Sequence, residues 1–333
     1  MVQTLFDYLT QRNAQLVVHF PPPTYTDSDM WNPVEAIEPW EDFDLASLTR
    51  RYRQSLDADT SLTSTVEATE EAGHTVICDE TALNIVLGST NISMVSRALP
   101  GSLFLSTGSR IMGDPTVRPD WGVGDASIHC PHPRGICPAL VCGDTKVGWD
   151  VERAIRVVGN GGYEDRPDTH LVRPFEQLQH YCTVYRTRYG FILTNEFLVL
   201  IRLKLSPPAS KQRRFRPRRQ TVAGSHRRVL SDTSTGTNVS EVSETFSTIS
   251  FQPKPQDEDV GALEVKIVPW DHGSSRETIN INLYFLARLA SESRELSHHY
   301  EPLNIDVEVP GKEKRKRLDD STEQSSGRGS RKP

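Results

Sequence analysis

Arg118-Pro119-Asp120-Trp121 and Gly143-Asp144-Thr145-Lys146 supply two carboxylates and an ammonium within one short stretch of the chain. Side chains alternate across a β-strand, so Asp144 and Lys146 share a face if the second motif is extended. Carboxylates from two adjacent strands can hold Mg²⁺ or Mn²⁺, hard cations that take oxygen ligands; Mg²⁺ keeps several waters besides. Such an ion polarises a phosphoryl oxygen and lowers the pKa of a bound water. A lysine beside it would orient that water or stabilise developing negative charge. A plainer reading stands next to this one: Asp-x-Lys is also a common solvated pair, and Pro-Asp a common turn.

The elements that must position these groups can be read from the apolar pattern. Ala82, Ile85, Val86, Ile92, Val95 and Leu99 recur at three-, four- and seven-residue spacings. This predicts a helix from Asp79, weakest at Gly88 and stopped by Pro100-Gly101. Ser102–Ile111, Pro119–Val123 and Ala139–Val147 read as strands, the last bounded by Pro138 and Gly148. A second helix is expected from Arg173 to about Tyr189, with Pro174 in its first turn and Phe175, Leu178, Cys182 and Tyr185 on one stripe. Phe191–Leu193 and Phe197–Leu203, joined by Thr194-Asn195-Glu196, read as a hairpin. A strand at Ala262–Trp270 and a helix at Thr278–Ala290 complete the ordered pattern. Ser274 and Glu277 have capping-box spacing before that helix, whose apolar face carries Leu283, Leu286 and Leu289. The carboxylates thus fall on the second and third strands of an α-β-β-β-α-β order.

In that order the chain resembles the PD-(D/E)XK nuclease-like superfamily, whose signature is matched by Pro119-Asp120 and Asp144-Thr145-Lys146. Gln177-Leu178-Gln179-His180-Tyr181 resembles the Q-x-x-x-Y element of its RecB-type branch. The P-D-W, G-D-T-K and Q-x-x-x-Y pattern is also similar to that of fungal members. The resemblance covers roughly Asp79–Leu205. It implies a restriction-endonuclease-like α/β fold, a mixed sheet flanked by helices on an αβββαβ core, and metal-dependent hydrolysis of nucleic-acid phosphodiesters. By the same resemblance Asp120 and Asp144 bind Mg²⁺ or Mn²⁺ and Lys146 acts on the water or the charge. Gln177 and Tyr181, one helical turn apart and so on one face, support the site or contact substrate. The family places a further acid on the helix before the first strand. Glu80 is the candidate metal-linked residue, with Glu71 and Glu70 behind it, although a glutamate there also complements the helix dipole. A catalytically silent nuclease fold serving as a nuclear interaction module is the alternative.

Composition frames the partners. The chain of 333 residues has 36% apolar residues and a net charge of −6, which conceals two basic tracts. Residues 207–228 carry eight Lys/Arg and no acid, and residues 311–333 carry eight against four acids, which leaves −18 on the remainder. Nucleic acid, with DNA ahead of RNA, must therefore be held by local patches or by the tails. The runs 211–219 and 312–317 read as phosphate-binding arms or as signals for a nuclear import receptor. Residues 1–58 are expected to form a partly ordered arm with one short helix around Asp44–Ser55. A domain over 59–300 follows, interrupted by a disordered insertion at 207–259, and 301–333 reads as a disordered basic tail. Met1 to Phe20 does not read as a secretory signal, and no apolar run reaches membrane-spanning length. Five cysteines, an odd number, suit a reducing, intracellular compartment. His129, Cys130, His132, Cys137 and Cys142 fit no usual zinc spacing, and Cys142 shares the face of Asp144, which points to packing against the site wall.

Overall fold

Ala139–Lys146 is buried at all eight positions, as expected of a strand covered on both faces. In the computed structural model, which describes residues 2–19, 28, 30–111, 117–128, 137–164, 166–207 and 260–303, this strand is an interior strand of a seven-stranded mixed sheet. Its strands are β1 (Ile37–Pro39), β2 (Leu103–Thr107), β3 (Trp121–Asp125), β4 (Ala139–Lys146), β5 (Tyr189–Thr194), β6 (Phe197–Leu205) and β7 (Val260–Pro269). They lie in the order β1-β7-β6-β5-β4-β3-β2. Pairs β2/β3, β3/β4, β5/β6 and β6/β7 are antiparallel, whereas β4/β5 and β7/β1 are parallel. Gly143 permits the central pairing: a Cβ there would stand 2.2 Å from the Phe191 ring across the β4/β5 ladder. The α/β class, the flanking helices and the mixed sheet expected above are all present.

Helices cover both faces. On one, α1 (Glu80–Leu87) runs through a π turn (Gly88–Ile92) into α2 (Ser93–Ala98), so the weak point at Gly88 is a change of helical pitch rather than a break. On the other lie α3 (Val151–Gly159), which the apolar pattern had not marked, and α4 (Thr169–Tyr185). The last helix, α5 (Ile279–Glu292), packs on the α1 side. Alternation then divides the core: Val141, Phe191 and Leu193 face α1 and α5, while Cys142, Ile192 and Val199 face α3 and α4.

Several boundaries differ from expectation for identifiable reasons. Helix α4 starts four residues early, with Pro174 inside it, because Thr169 Oγ1 donates to carbonyls of the preceding turn and holds a turn ahead of the proline. It ends at Tyr185, where Arg186 takes a left-handed conformation (φ 53°) that frees Tyr189 to begin β5. Thr278, not Ser274, caps α5: its Oγ1 accepts from Ile281 N and donates to the Leu9 carbonyl. The first 58 residues are not a loose lead-in where described. Tyr8, Leu9, Trp40, Phe43, Leu48, Tyr52 and Leu56 enter the core, β1 extends the sheet, and Trp40 stacks on Tyr189 at 5.7 Å. The expected short helix is two, Leu45–Arg51 and Arg53–Leu56. The insertion from residue 208 onward, the tail beyond 303 and both basic runs lie outside the described residues. No helix among those described is long and apolar enough to cross a membrane.

Candidate functional site

β4 delivers Asp144 and Lys146 to the α4 side of the sheet, and Lys146 Nζ stands 2.5 Å from Asp144 Oδ2. The ammonium also donates to the Thr145 carbonyl at 3.0 Å and lies 3.7 Å from Glu80 Oε1 at the start of α1. Asp120 occupies the residue before β3 rather than the strand itself, where its carbonyl accepts from Gly108 N. There its Oδ2 accepts the Thr145 amide at 3.0 Å, which ties the first motif to the second. From α4, Gln177 Nε2 donates to Tyr181 Oη at 2.6 Å, as the one-turn spacing requires. All six residues named from sequence, Glu80, Asp120, Asp144, Lys146, Gln177 and Tyr181, therefore belong to one neighbourhood around the end of β4. Cys142 packs in the core behind them, on the α4 side as expected. Cys137 and Cys142 are both buried, while His129, Cys130 and His132 lie outside the described residues.

Three carboxylates share one ammonium here; Asp144 and Lys146 are buried, at 2% and 7% exposed, while Asp120 and Glu80 are partly exposed at the rim. Burial pushes Asp144 up to about 7; Lys146 pulls it down, but Asp120 and Glu80 add to the rise. Glu80 is raised too, first by burial and then by Asp120, against the pull of Lys146. Burial draws the lysine down, yet the carboxylates of Asp144, Glu80 and Asp120 outweigh it and keep the ammonium above its ordinary value. Tyr181 is raised by burial and by the Asp144 charge, so its phenol stays protonated beside the carboxylates.

Within this set Asp144 Oδ2 is buried and has the Lys146 ammonium as its close partner, at 2.5 Å. Among the described residues no three His, Cys, Asp or Glu side chains are already gathered tightly enough to hold an ion. The donor set nevertheless fits Mg²⁺ or Mn²⁺, which need few protein carboxylates: two or three acidic side chains and an excess of negative charge. Asp144 and Asp120 would hold it, with Glu80 at the rim.

Two hollows mark the surface. One of about 510 Å³ lies at the far edge of the sheet between β1 and β7, lined by residues such as Trp40, Phe43, Ile155 and Ile267. It is strands away from the converged charges, so its size does not make it the chemical centre. The other, of about 370 Å³, opens just beyond Lys146, lined by Gly148, Trp149, Asp150 and Glu196.

Sequence reading had passed over three further residues. Trp121 Nε1 donates to Thr145 Oγ1 at 2.8 Å, and Thr145 Oγ1 donates to Asn84 Oδ1 at 2.6 Å. The available signal was spacing: Asn84 follows Glu80 by four residues on a predicted helix and so shares its side. Comparisons with family models, with curated proteins and with solved structures returned no match.

Proposed function

We propose that the protein is a metal-dependent nuclease that hydrolyses nucleic-acid phosphodiesters at the Asp120–Asp144–Lys146 site. The observation that carries this reading is the convergence of Asp120, Asp144 and Glu80 on the buried ammonium of Lys146. A structural ion pair needs one acid per base, whereas this cluster has three, and a surplus of mutually repelling carboxylates around a buried Asp144 favours binding of a cation. When bound, Mg²⁺ or Mn²⁺ supplies Lewis acidity toward a phosphate oxygen and a water of lowered pKa. The chain's own contribution is positional. Lys146, kept protonated, holds a hydrogen-bond donor and a positive charge where the pentacovalent phosphorane would gather charge. Tyr181 accepts from Gln177, which leaves its own proton to be donated beside Asp144. The basic runs 211–219 and 312–317 would grip the backbone of DNA or engage a nuclear import receptor.

One observation favours a second reading: with Asp144, Lys146, Gln177 and Tyr181 all under a tenth exposed, the groups are shielded from a large substrate, as in a silent fold used for interaction. Cleavage decides between them. Purified wild type and Lys146→Ala should be assayed on single- and double-stranded DNA and RNA with Mg²⁺ and with Mn²⁺. Loss of the ammonium should cost about 10²–10³-fold in rate, by analogy with removal of one preorganised charge-stabilising donor. Identical background cleavage by both folded proteins on every substrate would leave the silent module.

A further inference from the structure

We propose that Asn84 is a substrate-contacting residue that presents its amide NH₂ group to a non-bridging phosphate oxygen, fixed in that orientation by a Trp121–Thr145–Asn84 hydrogen-bond relay. The inference rests on the nuclease reading above and assigns that site a recognition element.

The relay fixes each proton by elimination. An indole nitrogen is a donor only, so Trp121 Nε1 must give its hydrogen to Thr145 Oγ1. The threonine hydroxyl is fully buried and carries one hydrogen, for which Asn84 is the partner at 2.6 Å. Turning the amide over would place two donors on that hydroxyl and strand its proton in the core, at the cost of an unmade buried bond. Asn84 therefore faces Thr145 with Oδ1, and its planar amide carries Nδ2 on the other branch. A purely structural role ends at Oδ1. Nδ2 has no acceptor among the described residues, and the side chain is partly exposed.

The location supplies the ligand class. Asn84 stands one turn after Glu80 on α1, the same side from which Glu80 reaches Lys146, and Thr145 also binds Asp120 through its amide. A donor one turn from Glu80, on the partner of the residue whose amide holds Asp120, can attract an anionic oxygen without neutralising the acids that would bind a cation. A lysine or arginine there would pair with Glu80 or Asp120; a neutral amide does not. A backbone phosphate of nucleic acid meets that requirement, and inorganic phosphate shares its chemistry.

The test is steady-state cleavage of short single- and double-stranded DNA by the full-length chain with Mg²⁺, alongside thermal unfolding. Asn84→Asp keeps the acceptor for Thr145 and removes the NH₂ group; Asn84→Ala removes both without adding charge. Each should raise KM by about 10- to 100-fold, the range for a hydrogen bond to a charged group, with kcat within about threefold. Trp121→Phe, which frees the threonine hydroxyl to turn, should shift KM the same way by less. Should Asn84→Ala not fold, Asn84→Asp carries the comparison. Wild-type KM in these variants, or a fall in kcat alone, overturns the phosphate contact while leaving the nuclease reading intact. A wild type that cleaves none of the DNAs, nor the corresponding RNAs, removes both.

Discussion

On β6 the guanidinium of Arg202 is surrounded by acceptors. Its Nε bonds Glu264, its two Nη atoms reach both oxygens of Asp42 at 3.1 and 3.3 Å, and Asp42 also takes the Leu303 amide. The Trp40 and Tyr300 rings lie 4.9 and 5.2 Å from its carbon. Two strands away on β4, Lys146 is about as buried but faces three carboxylates. Burial does not separate the two clusters; the balance of charge does. Arg202, with Arg188 near the same Tyr300 ring, answers Asp42 and Glu264 charge for charge, as a structural cluster must. The β4 cluster is over-acidic, and a proton or a cation can fill its deficit of positive charge.

The largest effect that would sharpen this contrast is on stability at β6. Arg202→Met leaves Asp42 and Glu264 without their partner, and removal of one member of a buried pair costs about 3–5 kcal/mol. Urea denaturation at pH 7 should show that loss relative to wild type, by the same amount with and without Mg²⁺. A loss no greater than about 0.5 kcal/mol, typical of surface substitutions, would mean that the β6 cluster is not structural.

A smaller effect separates the clusters by pH. Asp144 stands at about 7 in the folded protein and near 3.9 in an unfolded chain, so the folded state binds the extra proton between those values. Stability therefore falls as pH rises from about 4 to 7 and levels off above. Between pH 5 and pH 8 the loss from this group is roughly 2–3 kcal/mol. Asp144→Asn removes the titration while Lys146 keeps Glu80 and the Thr145 carbonyl. The variant should accordingly gain on wild type as pH rises, its advantage at pH 8 exceeding that at pH 5 by roughly 2–3 kcal/mol. A difference that does not change with pH would show that Asp144 is not the group holding the proton.

The β4 cluster was legible in sequence and the β6 cluster was not, for a physical reason. Asp144 and Lys146 announce themselves because strand parity puts them on one face, and Gln177 with Tyr181 because a helical turn does. Arg202 meets Asp42 across 160 residues, and Asn13 reaches the Trp270 carbonyl across 257; no local period records such pairs. The first 58 residues were misread for the same cause. Their buried Tyr8, Trp40 and Phe43 are scattered among prolines and acids, and burial there comes from docking onto β5, β7 and α5 rather than from an amphipathic stripe. Asn84 and Thr145 stood inside recognised elements, but their polar side chains carry no apolar signal, and only the folded contact shows which way the amide turns.

The smallest effect tests what fills the deficit on β4. If a cation does, Mg²⁺ at ten times its Kd should stabilise the wild type by about 1.4 kcal/mol, the mass-action value for a ligand that binds only the folded state. Asp144→Asn should lose that response, whereas Arg202→Met should keep it, provided enough folded protein remains. The response should also be coupled to protons. Carboxylates must be ionised to take up a metal, so binding by Asp144 releases a proton below pH 7 and weakens as pH falls. Thermal unfolding with and without Mg²⁺ at pH 8 and pH 5.5 reads both effects, and it needs no substrate. A shift present at pH 8 and absent at pH 5.5 assigns the surplus acids to a cation. A wild type indifferent to Mg²⁺ and Mn²⁺ at pH 8, yet stabilised by acid, would mean that a proton alone fills the deficit and that the β4 cluster is the silent counterpart of β6.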